Sequence, residues 1–300
     1  MERAQREDRG HIMMRQNAHD RATTGLRKIG WLLGAVLLTA CAVAVKEVDG
    51  PTTVRRTSDG PDRQDSYVVV TRREGATQNA FVMKPAAPAA AVILFMGGHG
   101  RANVGPGGAS SSNFLIRSQS YFFEENLMVA IVDAPSDQST LDFFRHSEAH
   151  AIDIKGVIAE LRKLADVPVW AVGTSNGSAS VANVAARFPP PTGPDGIVLT
   201  ASVERSGGGN SVFDAPLGRI RVPALVVHHK DDACQWTPYR GAIHLEGALS
   251  GSRARELIGI DGGSTPHGDP CQPYHYHGFV GREREVVKII ADWIKAHPSR

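Results

Sequence analysis

The stretch Val169-Trp170-Ala171-Val172-Gly173-Thr174-Ser175-Asn176-Gly177 decides the fold. It opens within a short apolar run, Val167–Val172, of the kind that forms a strand covered on both faces. It ends in G-x-S-x-G, and the small residues Ala179, Ala182 and Ala185 follow as a helix. Strand, sharp turn and helix are therefore expected in that order. The glycines let the backbone turn tightly and let strand and helix approach closely. Such a turn lifts the Ser175 hydroxyl above the sheet, at the N-terminus of the next helix. There the helix dipole and free backbone N–H groups stabilise negative charge. In a chain with 31 glycines the pattern alone is a weak signal, and its strand-to-helix context is what raises it.

The same alternation extends in both directions. Tyr67–Arg72 and Ala80–Met83 read as an antiparallel opening pair. Ala91–Phe95, Met128–Val132, Ile197–Leu199, Ala224–Val227 and Leu257–Ile260 read as further buried strands. Between them, Ile154, Val157, Ile158, Leu161 and Leu164 share one helical face, and Val286, Ile289, Ile290 and Trp293 repeat the spacing. Strands alternating with helices predict an α/β fold, a doubly wound and mostly parallel sheet with helices on both faces. Ligands of such sheets bind at the carboxyl ends of the strands, so the residues after each apolar run hold the chemistry.

A serine nucleophile needs a base and an acid to orient that base. The run Ala224–Val227 leads into His228-His229-Lys230-Asp231-Asp232-Ala233, and Tyr274-His275-Tyr276-His277-Gly278-Phe279 precedes the last helix. An oxyanion formed at Ser175 needs two N–H donors. The Asn176 N–H is one, and the loop Met96-Gly97-Gly98-His99-Gly100 offers the second at Gly98.

Over residues 66–297 the chain resembles the α/β-hydrolases, in the order Ser, then Asp, then His and in the nucleophile elbow Gly173–Gly177 around Ser175. The resemblance implies Ser175 as nucleophile, Asp232 rather than Asp231 as acid, and His277 rather than His275 as base. The family's usual His is replaced by Met96 in the oxyanion loop. Only about twenty residues separate Ile197–Leu199 from the next strand, where a lipase lid is usually inserted, so no large lid is expected and the site resembles that of small esterases and dienelactone hydrolases. The implied activity is hydrolysis of small carboxylic esters through an acyl-enzyme, without a cofactor. Amide hydrolysis or acyl transfer would use the same parts. A binding protein on a hydrolase scaffold is the alternative of a different class.

Residues 29–45, IGWLLGAVLLTACAVAV, are an uncharged run of 17 that follows Arg27 and Lys28. They read as the apolar core of an export signal, short for a membrane-spanning helix. Within it, Leu38-Thr39-Ala40-Cys41 resembles the lipobox of bacterial lipoproteins, in which the cysteine takes lipid. Cleavage near Ala42–Ala44 and an uncleaved anchor are the alternatives, and Met13 or Met14 is a candidate start. The expected organisation is a signal at 1–40, a flexible tether at 41–65 rich in polar residues, and a catalytic domain at 66–300. The expected location is a membrane face in the periplasm or outside the cell, with free periplasmic secretion as the alternative. With Cys41 lipidated, Cys234 and Cys271 remain, and in an oxidising compartment they should pair.

Charge agrees with that division. Of the chain's 33 Lys/Arg and 31 Asp/Glu, residues 1–40 hold seven and four, a net of +3, which leaves a net of −1 for the other 260 residues. The body lacks the basic stripe of a nucleic-acid binder. His267, Asp269, His275 and His277 match no strong metal-ligand spacing, so no metal is expected. His99 is a candidate pocket residue.

Overall fold

The computed structural model describes residues 45–205 and 208–298; the export signal, the lipobox and Cys41 lie outside them. Nine strands form one sheet: β1 Thr52–Asp59, β2 Arg63–Arg73, β3 Ala76–Pro85, β4 Ala90–Phe95, β5 Leu127–Val132, β6 Val169–Thr174, β7 Gly196–Thr200, β8 Ala224–His229 and β9 Arg255–Ile260. The spatial order is β1-β2-β3-β5-β4-β6-β7-β8-β9. The first three strands and the β3–β5 pair are antiparallel, and every pairing from β5 through β9 is parallel.

Every residue of β4, β5, β6, β7 and β8 is buried, as their apolar runs require. Two apolar layers cover the sheet. Helices α3 (Glu148–Leu164), α4 (Gly177–Arg187) and α5 (Tyr239–Ala248) pack on one face. The short helices α1 (Phe114–Arg117) and α2 (Gln119–Glu124), with α6 (Glu283–Ala296), pack on the other. This is the doubly wound architecture expected from the sequence. β9 departs from the expectation of full burial: it is the edge strand, and Arg255 and Glu256 face solvent.

The segment read as a flexible tether at 41–65 is corrected over its described part. Residues 52–59 pair with β2 from Thr52↔Val70 to Asp59↔Gln64, and β2 itself begins at Arg63. Almost all of β1 is exposed, which is why its composition matches that of a linker. An outer strand with no layer on either face needs no apolar period.

The chain enters the parallel sheet at β4, moves to β5 on one side, then crosses to β6 on the other. The loops after β4 and β6 therefore diverge from a topological switch point and open a crevice at the carboxyl ends of the strands. Residues 201–223 join β7 to β8 with two 3-10 turns among the described residues, at Val212–Asp214 and Leu217–Arg219, and no lid is inserted there.

Candidate active site

Ser175 sits between β6 and α4 with φ +54°, a left-handed backbone that a non-glycine residue adopts only under constraint. Its N–H donates to the Thr200 carbonyl at 3.0 Å, and its carbonyl accepts from the Ser178 N–H and hydroxyl at 3.0 and 2.6 Å. Two glycines make the turn possible. A Cβ on Gly173 would lie 2.5 Å from the Gly177 carbonyl oxygen, and one on Gly177 would lie 2.0 Å from that of Phe95. The elbow thus rests directly on the end of β4.

The loop after β4 faces it. A Cβ on Gly97 would lie 2.7 Å from the Ser175 Cβ, so only glycine allows this approach. The Asn176 side chain does not cap α4 but donates to the Gly98 carbonyl at 3.2 Å, tying the two loops together. Among the described residues, neither the Asn176 N–H nor the Gly98 N–H donates to another backbone group. Both remain available to an oxygen placed beside Ser175.

Ser175 and His277 line one cavity of about 430 Å³, together with Gly97, Gly98, His99, Arg101, Ser111–Asn113, Gln272 and Pro273. His277 lies in a 3-10 turn, Tyr276–Gly278, ahead of α6. Its loop is braced by Arg117, which donates to the Gly278 carbonyl at 2.7 Å and pairs with Glu283. His277 Nδ1 lies 3.0 Å from Asp232 Oδ2. Asp232 is buried after β8, and Oδ1 accepts from the Cys234 N–H at 2.9 Å. Burial alone would raise the Asp232 carboxyl. The hydrogen bonds and charges of His228 and His277 outweigh it and hold the group well below the usual carboxylate range.

Several residues of this arrangement escaped the sequence reading. The buried Thr237 hydroxyl donates to Asp232 Oδ2 at 2.8 Å and stands 3.0 Å from His277 Nδ1. His228 places Nε2 3.4 Å from Asp232 Oδ2 and 2.9 Å from the Thr237 carbonyl. Asp142 pairs with His99 at 2.5 Å. His99 also lines a second cavity of about 230 Å³ that meets the first at Ser175 and is walled by Asp142, Asn176 and Trp236. The only sequence signal for these residues is position: His228 lies near the end of a buried strand, and Thr237, Asp142 and His99 lie in loops after buried strands.

Cys234 and Cys271 form a disulfide across 37 positions of sequence, joining the acid loop to the segment that leads into His277. Cys271 lines both cavities. Among the described residues no group of three or more His, Cys, Asp or Glu is placed to hold a metal ion.

No protein-family model and no curated protein matches the chain. Solved structures do. The dienelactone hydrolase from Anabaena variabilis is similar over 79% of this chain and 99% of its own, with a TM-score of 0.55 at 17% identity. A soluble variant of the monoglyceride lipase from Saccharomyces cerevisiae, in complex with a substrate analogue, matches over 84% and 100% with a TM-score of 0.54 at 12% identity. The S-formylglutathione hydrolase from Agrobacterium tumefaciens matches over 80% and 99%, with a TM-score of 0.51 at 11% identity. The fold is that of the α/β-hydrolases, without a lid.

Proposed function

We propose that this α/β-hydrolase-fold chain is a serine hydrolase that cleaves small carboxylic esters through an acyl-enzyme. One observation carries the reading: Ser175, on its left-handed elbow, shares a cavity with His277, whose Nδ1 meets the buried Asp232 carboxylate at 3.0 Å. The solved structures it resembles support it, since their names are those of hydrolases and a lipase.

In the proposed reaction Ser175 Oγ attacks the ester carbonyl carbon, and His277 Nε2 takes the hydroxyl proton. Asp232 holds the other imidazole nitrogen and stabilises the imidazolium. The N–H groups of Asn176 and Gly98 receive the oxyanion. His277 then returns the proton to the departing alcohol. Water, deprotonated in turn by His277, releases the acid and restores Ser175. No cofactor takes part. A fluorophosphonate probe should label the full chain at Ser175 and should not label Ser175→Ala. A panel of esters of graded acyl length then reads the acyl preference. A folded protein with no labelling and no turnover on any ester would refute the proposal.

Export with a lipid on Cys41 belongs to the same reading. It is supported by the Leu38–Cys41 motif and by a disulfide suited to an oxidising compartment. Mass spectrometry of the mature N-terminus from a bacterial membrane fraction tests it. An unmodified Cys41 within an intact N-terminal segment would overturn it.

A further inference from the structure

Arg145, in the loop between β5 and α3, is completely buried, and among the described residues no carboxylate lies within 4.0 Å of it. Its partners are neutral oxygens. One guanidinium nitrogen donates to the Met96 and Gly98 carbonyls at 3.2 and 3.1 Å, and another donates to Ser180 Oγ on α4 at 3.0 Å. The Asn183 side chain, also on α4, donates to the Arg145 carbonyl at 2.9 Å and fixes its backbone. Burial pushes the guanidinium down to about 10, with the Asp142 charge acting in the opposite direction, so the group stays charged at neutral pH. The other titratable groups coupled to it are His146 and His150, neither of them anionic.

A buried cation is costly unless a counter-charge or a strong set of acceptors compensates it. The place of this one explains its retention. In a trans peptide the N–H points away from the C=O of the same unit. Arg145 draws the Met96 carbonyl inward, which turns the Gly97 N–H outward. The Gly97 carbonyl accepts from the Gly100 N–H at 3.2 Å, which turns the Gly98 N–H away from that bond. The Gly98 carbonyl is shared by Arg145 and Asn176. All three carbonyls of the loop are thus occupied, and its N–H groups are set by the same contacts. Gly97, between the two anchored carbonyls in sequence, packs against the Ser175 Cβ.

We infer that Arg145 is a positioning residue: its guanidinium clamps the Met96–Gly98 loop to α4 and sets behind the oxyanion site a buried positive charge whose direct contacts are all neutral oxygens. This rests on the serine-hydrolase reading of Ser175. An interaction completed only in the transition state lowers the barrier without tightening substrate binding.

The test compares the full chain with Arg145→Lys and Arg145→Met. Four quantities are read: kcat and KM on an ester, the rate of phosphonate labelling, the affinity of an alkyl boronic acid, and amide hydrogen exchange at Gly100, whose N–H is bonded to the Gly97 carbonyl. Arg145→Met should lower kcat, labelling rate and boronate affinity together, by about 100-fold, with KM within 3-fold of wild type. Exchange at Gly100 should rise, and Arg145→Lys should recover about a tenth of the wild-type kcat. A folded Arg145→Met with kcat within 3-fold of wild type, or with unchanged exchange, overturns the inference. If Arg145→Met does not fold, a folded Arg145→Lys with wild-type kcat and exchange overturns it. If the wild type neither labels nor turns over, the hydrolase reading fails, and exchange alone decides whether Arg145 clamps the loop.

Discussion

Breaking the Cys234–Cys271 bridge should cost stability and turnover together. The bond closes a loop of 37 residues. In the chain-entropy model, opening a loop of that length frees the unfolded chain by about 4 kcal/mol. For a domain of this size each kcal/mol moves the melting temperature by about 2–4 °C, so a fall of about 10 °C is expected. The catalytic effect follows from position. The Cys234 N–H holds Asp232 Oδ1, and Cys271 lies six residues before His277. With the bridge gone, the acid loop and the base loop lose their covalent link, and the 3.0 Å contact between Asp232 and His277 rests on non-covalent contacts, chiefly those of Thr237 and His228. We expect kcat to fall about 10-fold with KM little changed. The assay is differential scanning calorimetry and ester turnover for three samples: wild type, wild type in dithiothreitol, and Cys234→Ala/Cys271→Ala. Thiol counting in denaturant establishes the bond's state in each. A reduced protein that melts within 2 °C of the oxidised one and turns over equally fast would refute the argument.

Thr237→Val removes a buried donor to the Asp232 carboxylate, an interaction worth about 1.5–3 kcal/mol. It should lower kcat at least 10-fold while Thr237→Ser retains it, and steady-state kinetics on one ester settle the comparison. Gly97→Ala places a methyl group 2.7 Å from the Ser175 Cβ. Phosphonate labelling should slow more than 100-fold while circular dichroism is unchanged, and a labelling rate near wild type would contradict the close approach of the two loops. His150 is fully buried with both ring nitrogens unpartnered, and burial lowers it from 6.5 to about 3. Between those values the unfolded chain binds a proton that the native state does not, so stability rises with pH and is lost as pH falls below about 6.5. The loss by pH 4 is about 3 kcal/mol. His150→Met should show a shallower decline in urea midpoint between pH 7 and pH 4, and an unchanged slope would remove His150 as its cause.

The sheet was legible because its central strands are covered on both faces, so β4 through β8 consist almost wholly of apolar residues. β1 was illegible for the opposite reason. It buries almost nothing, and Thr, Arg, Ser and Asp are the residues that a tether also uses. Helix α5 gave no clear period because Gly241 and Ala242 fill two of its three buried positions. The same contrast holds at the site. Ser175 and Asp232 follow, and His277 precedes, an element with a clear local signature. Thr237, Asp142 and Arg145 act across 40, 43 and up to 49 positions of sequence, and no local pattern announces a partner that far away.

Those long-range partners share an electrostatic logic. In the proposed transition state charge separates: positive on the His277 imidazole, negative on the substrate oxygen beside Gly98 and Asn176. The protein holds a buried anion behind the first and a buried cation behind the second. Asp232, kept ionised by its histidine contacts, lies 3.0 Å from His277, and Arg145 lies under the loop that carries Gly98. In the resting state neither ion faces the other across a salt bridge, since Asp232 is paired with His228 and His277 and Arg145 with neutral oxygens. The field between them therefore points along the direction in which the reaction moves charge. It is set by folding, so no solvent has to reorient as the barrier is crossed. Removing either ion should slow acylation, and removing both should cost less than the product of the two single losses. Each residual rate already lacks one pole of the field, and the two poles act on the same charge separation. A double variant, Asp232→Asn with Arg145→Met, whose labelling rate equals the product of the single effects would show that the two charges act independently and that no shared field joins them.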